Sequence, residues 1–153
     1  MKKRLEQYSI DDHKISHEDI DPDVYKISES LISNGYQAYL VGGCIRDILL
    51  GRKPKDFDIA TDANPSEICK IFSHAKIIGR RFKIVHVYIS EKKYFEVTTF
   101  RSDIKNKSSQ KKFQKMHGMI KRDNLFGSIS QDAFRRDFTV YYVCNPIAWE
   151  KVG

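Results

Sequence analysis

The chain has 153 residues, a formal net charge of +7, 41% hydrophobic and 12% aromatic content, and three widely spaced cysteines. That length suits one domain, the apolar fraction suffices for a packed core, and the aromatic share argues against disorder. The excess of positive charge favours polyanionic partners. Cys44, Cys69 and Cys144 form no CxxC or Cys/His cluster, which excludes a disulfide frame or a zinc site and points to reduced thiols in a cytoplasmic protein. The first residues lack the apolar core of a secretory signal, and no stretch is long and apolar enough to span a membrane.

Residues 1–21 are polar and mixed in charge and are expected to form a loose arm. From Pro22 the spacing of Val24, Ile27 and Leu31 predicts a helix stopped by Asn34-Gly35. A strand over 37–41 runs into Gly42-Gly43, followed by a short apolar helix over 44–50 closed by Gly51. A second strand is expected over 56–60. Asn64-Pro65-Ser66-Glu67 then carries the signature of a capped helix start, with the helix reaching about Phe72. Residues 83–89 and 94–100, joined by a polar turn, predict an antiparallel hairpin.

Residues 101–125 hold eight Lys/Arg against two aspartates. They read as a solvated basic loop able to hold phosphates, with Lys111, Lys112 and Lys115 at its centre. In the last segment Ser128 and Gln131 are placed for a capping box, and Phe134, Phe138 and Tyr141 or Tyr142 share a helical face.

The chemistry concentrates in LVGGCIRDILLGRKPKDFDIATDANP, residues 40–65. Side chains at i and i+2 of a strand share a face, so Asp56 and Asp58 are expected to project together while Phe57 and Ile59 turn into the core. Two carboxylates so placed suit hard cations such as magnesium, which prefers oxygen ligands. A bare DxD is more often a solvated sheet edge. Glu96, on the second strand of the predicted hairpin, would supply a third carboxylate, although alone it reads as a solvated strand residue. Gly42 and Gly43 allow backbone N–H groups to approach a phosphate, while Arg46 and Asp47 alone would be an ordinary surface ion pair. Arg80 and Arg81 read first as solvated and second as phosphate contacts; His86 reads as a strand histidine with no ligand role.

These motifs, taken in order, resemble the class II nucleotidyltransferases of the DNA polymerase β superfamily, the bacterial poly(A) polymerases and CCA-adding tRNA nucleotidyltransferases. The resemblance covers roughly residues 15–140. GRRFKIVHVYI (79–89), FEVTTFRSD (95–103) and RDNLFGSISQDAFRRDFT (122–139) resemble the poly(A) polymerase branch more closely than the CCA-adding branch.

The resemblance implies metal and catalytic roles for Asp56, Asp58 and Glu96, triphosphate contacts from Gly42, Gly43 and Arg46, and ribose and triphosphate contacts from the RRD motif, Arg135, Arg136 and Asp137. It implies two magnesium ions, ATP as substrate and an RNA 3′ end as partner. The implied fold is an α+β (α/β) nucleotidyltransferase head: a small mixed sheet of four or five strands with helices on one face. The corresponding domain is 22–140, with 141–153 expected as a truncated end, because the family's neck, body and tail follow at that point. After RRDFT the chain departs from the family: about three residues including an Asn are missing or, read without a gap, Tyr141 stands at the Asn position. The implied activity is addition of AMP from ATP to RNA 3′ ends, expected to be low in such a head alone. The alternatives are CCA addition to tRNA and an inactive head that only binds nucleotide or RNA. An antitoxin-type nucleotidyltransferase fits less well, since those carry Gly-Ser at the Gly42-Gly43 position.

Overall fold

The computed structural model describes residues 10–101, 131–132 and 141–143. Its elements run in chain order as α1 (Ile10–His13), a 3-10 turn (His17–Asp19), α2 (Pro22–Ser33), β1 (Ala38–Val41), α3 (Gly43–Leu49), β2 (Asp58–Thr61), α4 (Pro65–Ile71), β3 (Ala75–Ile78), β4 (Ile84–Tyr88), β5 (Tyr94–Thr99) and β6 (Tyr141–Val143). The strands form one mixed sheet of order β3-β4-β5-β2-β1-β6. All neighbours are antiparallel except β2 and β5, which are parallel. Among the described residues no helix is long and apolar enough to cross a membrane.

Local chemistry sets the helix ends. The Asp21 carboxylate accepts from the Asp23 N–H at 2.9 Å, and Pro22 opens α2 with its φ already helical. Gly35, at φ 88°, ends it. At α4 the capping box is complete: Asn64 Oδ1 accepts from the Glu67 N–H at 2.9 Å, and Glu67 Oε2 accepts from the Asn64 N–H at 3.2 Å. Replacing Asn64 with alanine should cost about 1 kcal/mol, read as a lower urea midpoint with an unchanged slope. A slope change would place the effect elsewhere.

Alternation divides the sheet into two unlike faces. Ala38, Leu40, Ile59, Val85, Val87, Phe95 and Val97 join Val24, Ile27, Leu31, Ile45 and Ile68 of the helices in the main core. Each fully buried aliphatic side chain there contributes on the order of 2 kcal/mol. The opposite face carries a smaller cluster of Val41, Ala60 and Phe100, with Tyr39 against it; beyond that cluster it bears Asp58, Glu96, His86, Tyr88, Tyr94 and Lys76, with Ile84 and Ile78 at its far end.

Four expectations need correction. The sheet has six strands rather than four or five. β3 escaped notice because Lys76, Ile77 and Ile78 are all exposed on an edge, without the alternation of a half-buried strand. Tyr141 lies in β6, paired with Val41, not on a helical face; Tyr141, Tyr142 and Val143 are strand formers, and pairing with β1 satisfies that preference. Residues 10–21 are not loose, since Ile15 and Ile20 are each only 3% exposed within the core; two isolated isoleucines make no readable period. Finally, β2 starts at Asp58, so Asp56 precedes the strand.

Asp132 was not anticipated at all. It is fully buried, and its carboxylate accepts from the Arg101 N–H at 3.0 Å, fastening the exit of β5.

Candidate active site

The register of the sheet lines up one row across its polar face. Val41 pairs with Asp58, Asp58 with Glu96, Glu96 with His86, and His86 with Lys76. Paired residues on adjacent strands share a face and stand about 4.8 Å apart at the backbone. Asp58 and Glu96, distant in sequence, therefore become lateral neighbours. Phe57 and Ile59, flanking Asp58, are buried in the core, so the strand fixes which way the carboxylate faces.

Because Val41 pairs with Asp58, the turn that follows Val41 must lie beside that carboxylate. Gly42 has φ 81° and ψ −150°, a region open essentially to glycine alone. A Cβ there would stand 3.6 Å from Asp58 Oδ2. At Gly43 a Cβ would come within 3.2 Å of Arg46 Nη2, so the guanidinium folds against the turn. The same guanidinium pairs with Asp47 at 3.1 Å. Cys44, beside them, is pushed up to about 11 by burial; its thiol stays protonated at neutral pH and donates to the Val41 carbonyl at 3.2 Å.

Asp56, Asp58 and Glu96 line one cleft of about 850 Å³. Its walls are the 3-10 turn and the start of α2, the segment leading into β2, and the β4–β5 hairpin; Lys53, Lys55 and Lys92 stand among them. Lys93 Nζ ties the hairpin to α2, 2.9 Å from Asp23 Oδ2 and 3.0 Å from Asp21 Oδ2. Its hydrogen bonds to Asp23 and then Asp21 raise its pKa, keeping it charged.

The donor set fits magnesium in kind: carboxylate oxygens, with room for waters and phosphates. Among the described residues, however, no three metal-binding side chains are already gathered around one point. Glu96 Oε1 lies 3.5 Å from the buried His86 Nε2, turned along the row toward β4. Sequence reasoning grouped Asp58, Glu96 and the glycine turn, and the fold sets them side by side. It missed His86 and Lys76 as the continuation of the row beyond Glu96, and Tyr88 and Tyr94 as paired residues on the same face. The signal was present in the i, i+2 spacing of 86/88 and 94/96. Arg135, Arg136, Asp137 and the basic residues of 102–125 lie outside the described residues.

The chain matches the poly(A) polymerase head domain family over residues 38–151. It is 48% identical over 139 residues to poly(A) polymerase I of Haemophilus influenzae, covering 86% of this chain and 30% of that protein. It is 45% identical over 130 residues to poly(A) polymerase I of Salmonella typhi, covering 84% and 28%. Among solved structures it resembles the Bacillus stearothermophilus CCA-adding enzyme in complex with CTP, at 33% identity and a TM-score of 0.59, covering 77% of this chain and 26% of that one. The chain thus spans less than a third of the length of these relatives.

Proposed function

The chain belongs to the poly(A) polymerase head domain family, and from that premise we propose that it is the nucleotide-binding and catalytic part of an enzyme that adds AMP from ATP to RNA 3′ ends. The observation that carries this reading is the Asp58–Glu96 pairing across parallel strands, with the Gly42-Gly43 turn against Asp58. Higher identity to the poly(A) polymerases than to the solved CCA-adding enzyme favours adenylate addition.

Each residue has a definable task. The Gly42 and Gly43 backbone and the Arg46 guanidinium would hold the triphosphate; Arg135, Arg136 and Asp137 would add ribose and phosphate contacts. Asp56, Asp58 and Glu96 would hold two magnesium ions beside the α-phosphate. Bound there, magnesium would neutralise the leaving pyrophosphate and favour the attacking 3′-oxygen. The 3′-hydroxyl forms a new bond to the α-phosphorus as the bond to pyrophosphate breaks, and its proton passes to solvent. Catalysis of this kind rests on position and electrostatics, which suits a cleft of fixed carboxylates with no assigned general base.

The test is calorimetric titration with ATP, CTP and GTP, with magnesium and with EDTA, followed by extension of a short RNA by the same preparation. Magnesium-dependent binding that favours ATP is the expected result. Equal binding in EDTA would overturn the metal assignment, and preferential CTP incorporation would transfer the chain to the CCA-adding reading.

A further inference from the structure

Beyond the carboxylates the polar face of the sheet continues as aromatic surface. Tyr94 lies two residues before Glu96 on the same face, and its strand partner is Tyr88. Tyr94 stacks on His86, with ring centroids 4.3 Å apart and planes 20° from parallel. Tyr88 leans against Tyr94 at 5.3 Å, and Lys76 Nζ stands 5.6 Å from the centre of the Tyr88 ring. Tyr94 is nonetheless 46% exposed, and it lines the cleft that holds Asp56, Asp58 and Glu96.

We propose that Tyr94, braced from behind by His86 and flanked by Tyr88 and Lys76, is the platform on which the 3′-terminal base of the RNA stacks. This rests on the nucleotidyl-transfer reading above. A cross-strand aromatic pair by itself only stabilises a hairpin. That explanation accounts for the Tyr88–Tyr94 contact but not for a half-exposed ring lining the carboxylate cleft.

The direction of the reaction selects the occupant. In phosphoryl transfer the attacking and leaving oxygens stand roughly in line. The glycine turn and Arg46 lie on the β1 side of Asp58, so the pyrophosphate leaves toward β1. The attacking hydroxyl must then approach from the β5–β4 side, where Glu96 is followed by His86 and Tyr94. A ring already held by its neighbours loses little freedom when a base lands on it. Every base has a π-face, so such a seat accepts any terminal base, while Lys76 and Lys92 stand where phosphates of the strand would run.

The probe is a short oligoadenylate with 2-aminopurine as its 3′-terminal base, whose fluorescence is quenched on stacking. The wild-type chain and Tyr94→Phe should both bind and quench it. Tyr94→Leu should lose the quenching and bind about tenfold more weakly, with magnesium-dependent ATP affinity unchanged and a thermal midpoint lowered by no more than about 4 °C through loss of the cross-strand contact. Unchanged quenching or unchanged oligonucleotide affinity in Tyr94→Leu would overturn the platform and leave the nucleotidyl-transfer reading intact. So would a wild-type chain that binds ATP with magnesium but never quenches the probe. A wild-type chain that binds neither ATP nor oligoadenylate would overturn the underlying reading, and the platform with it.

Discussion

Replacing Asp58 with asparagine is expected to abolish magnesium-dependent ATP binding and to slow AMP transfer about a thousandfold, equivalent to roughly 4 kcal/mol of barrier. Asp58 is the residue that the glycine turn and Glu96 both adjoin, so it is the one position shared by both halves of the proposed chemistry. Asparagine keeps the shape and removes the charge that would hold the cation. Stability should move little, because asparagine keeps the side-chain shape and an acceptor oxygen beside Glu96. The discriminating measurement is a pair of melting curves. Magnesium with ATP should raise the midpoint of the wild-type chain by mass action and leave that of Asp58→Asn where it was. If the variant melts far below wild type without ligand, Asp58 is a structural residue and the site lies elsewhere.

Gly42→Ala should lower stability by about 1–3 kcal/mol and weaken ATP binding as well. Space is not the obstacle, since the added Cβ would make an ordinary contact at 3.6 Å with Asp58 Oδ2. The cost is conformational, because φ 81° with ψ −150° is costly for any residue that has a Cβ. Relief of that strain would rotate the turn away from the carboxylate and move its N–H groups off the proposed triphosphate seat. Gly35→Ala is the matched control: its φ is 88°, with nothing within 4 Å of the added carbon. That variant should lose stability without losing nucleotide affinity. Equal loss of affinity in both would assign the effect to general loosening of the domain.

Several elements of the fold were legible because their signals are local, whereas the DNA polymerase β-like nucleotidyltransferase head was implied by the family resemblance. The Asn64 capping box, the Asn34-Gly35 stop and the β4–β5 hairpin are each written within a few residues. Strands whose placement depends on distant partners were not legible. β6 takes its structure from pairing with β1, and β3 is an edge strand with three exposed side chains. For the site, the carboxylates and glycine turn were readable from spacing and resemblance. That Glu96 lies level with Asp58 was not, because it follows from the register of two parallel strands. The aromatic surface beside Glu96 was overlooked for a simpler reason: Tyr88 and Tyr94 read as ordinary strand formers unless the face they share with Glu96 is followed outward.

The parallel pairing of β2 with β5 bears on the order of events when the chain first folds. Two parallel strands cannot be joined by a tight turn; here α4 and the β3–β4 hairpin must intervene. Capped helices and hairpins close early, whereas contacts between distant parts of the chain form slowly. Asp58 and Glu96 therefore meet only when β2 and β5 zip together, and a chain that has made its local elements still has its two acidic strands apart. A divalent cation arriving before that step finds only scattered carboxylates, and one arriving after it finds them side by side. Unfolding in the presence of magnesium and ATP should slow accordingly, while the refolding rate stays nearly the same.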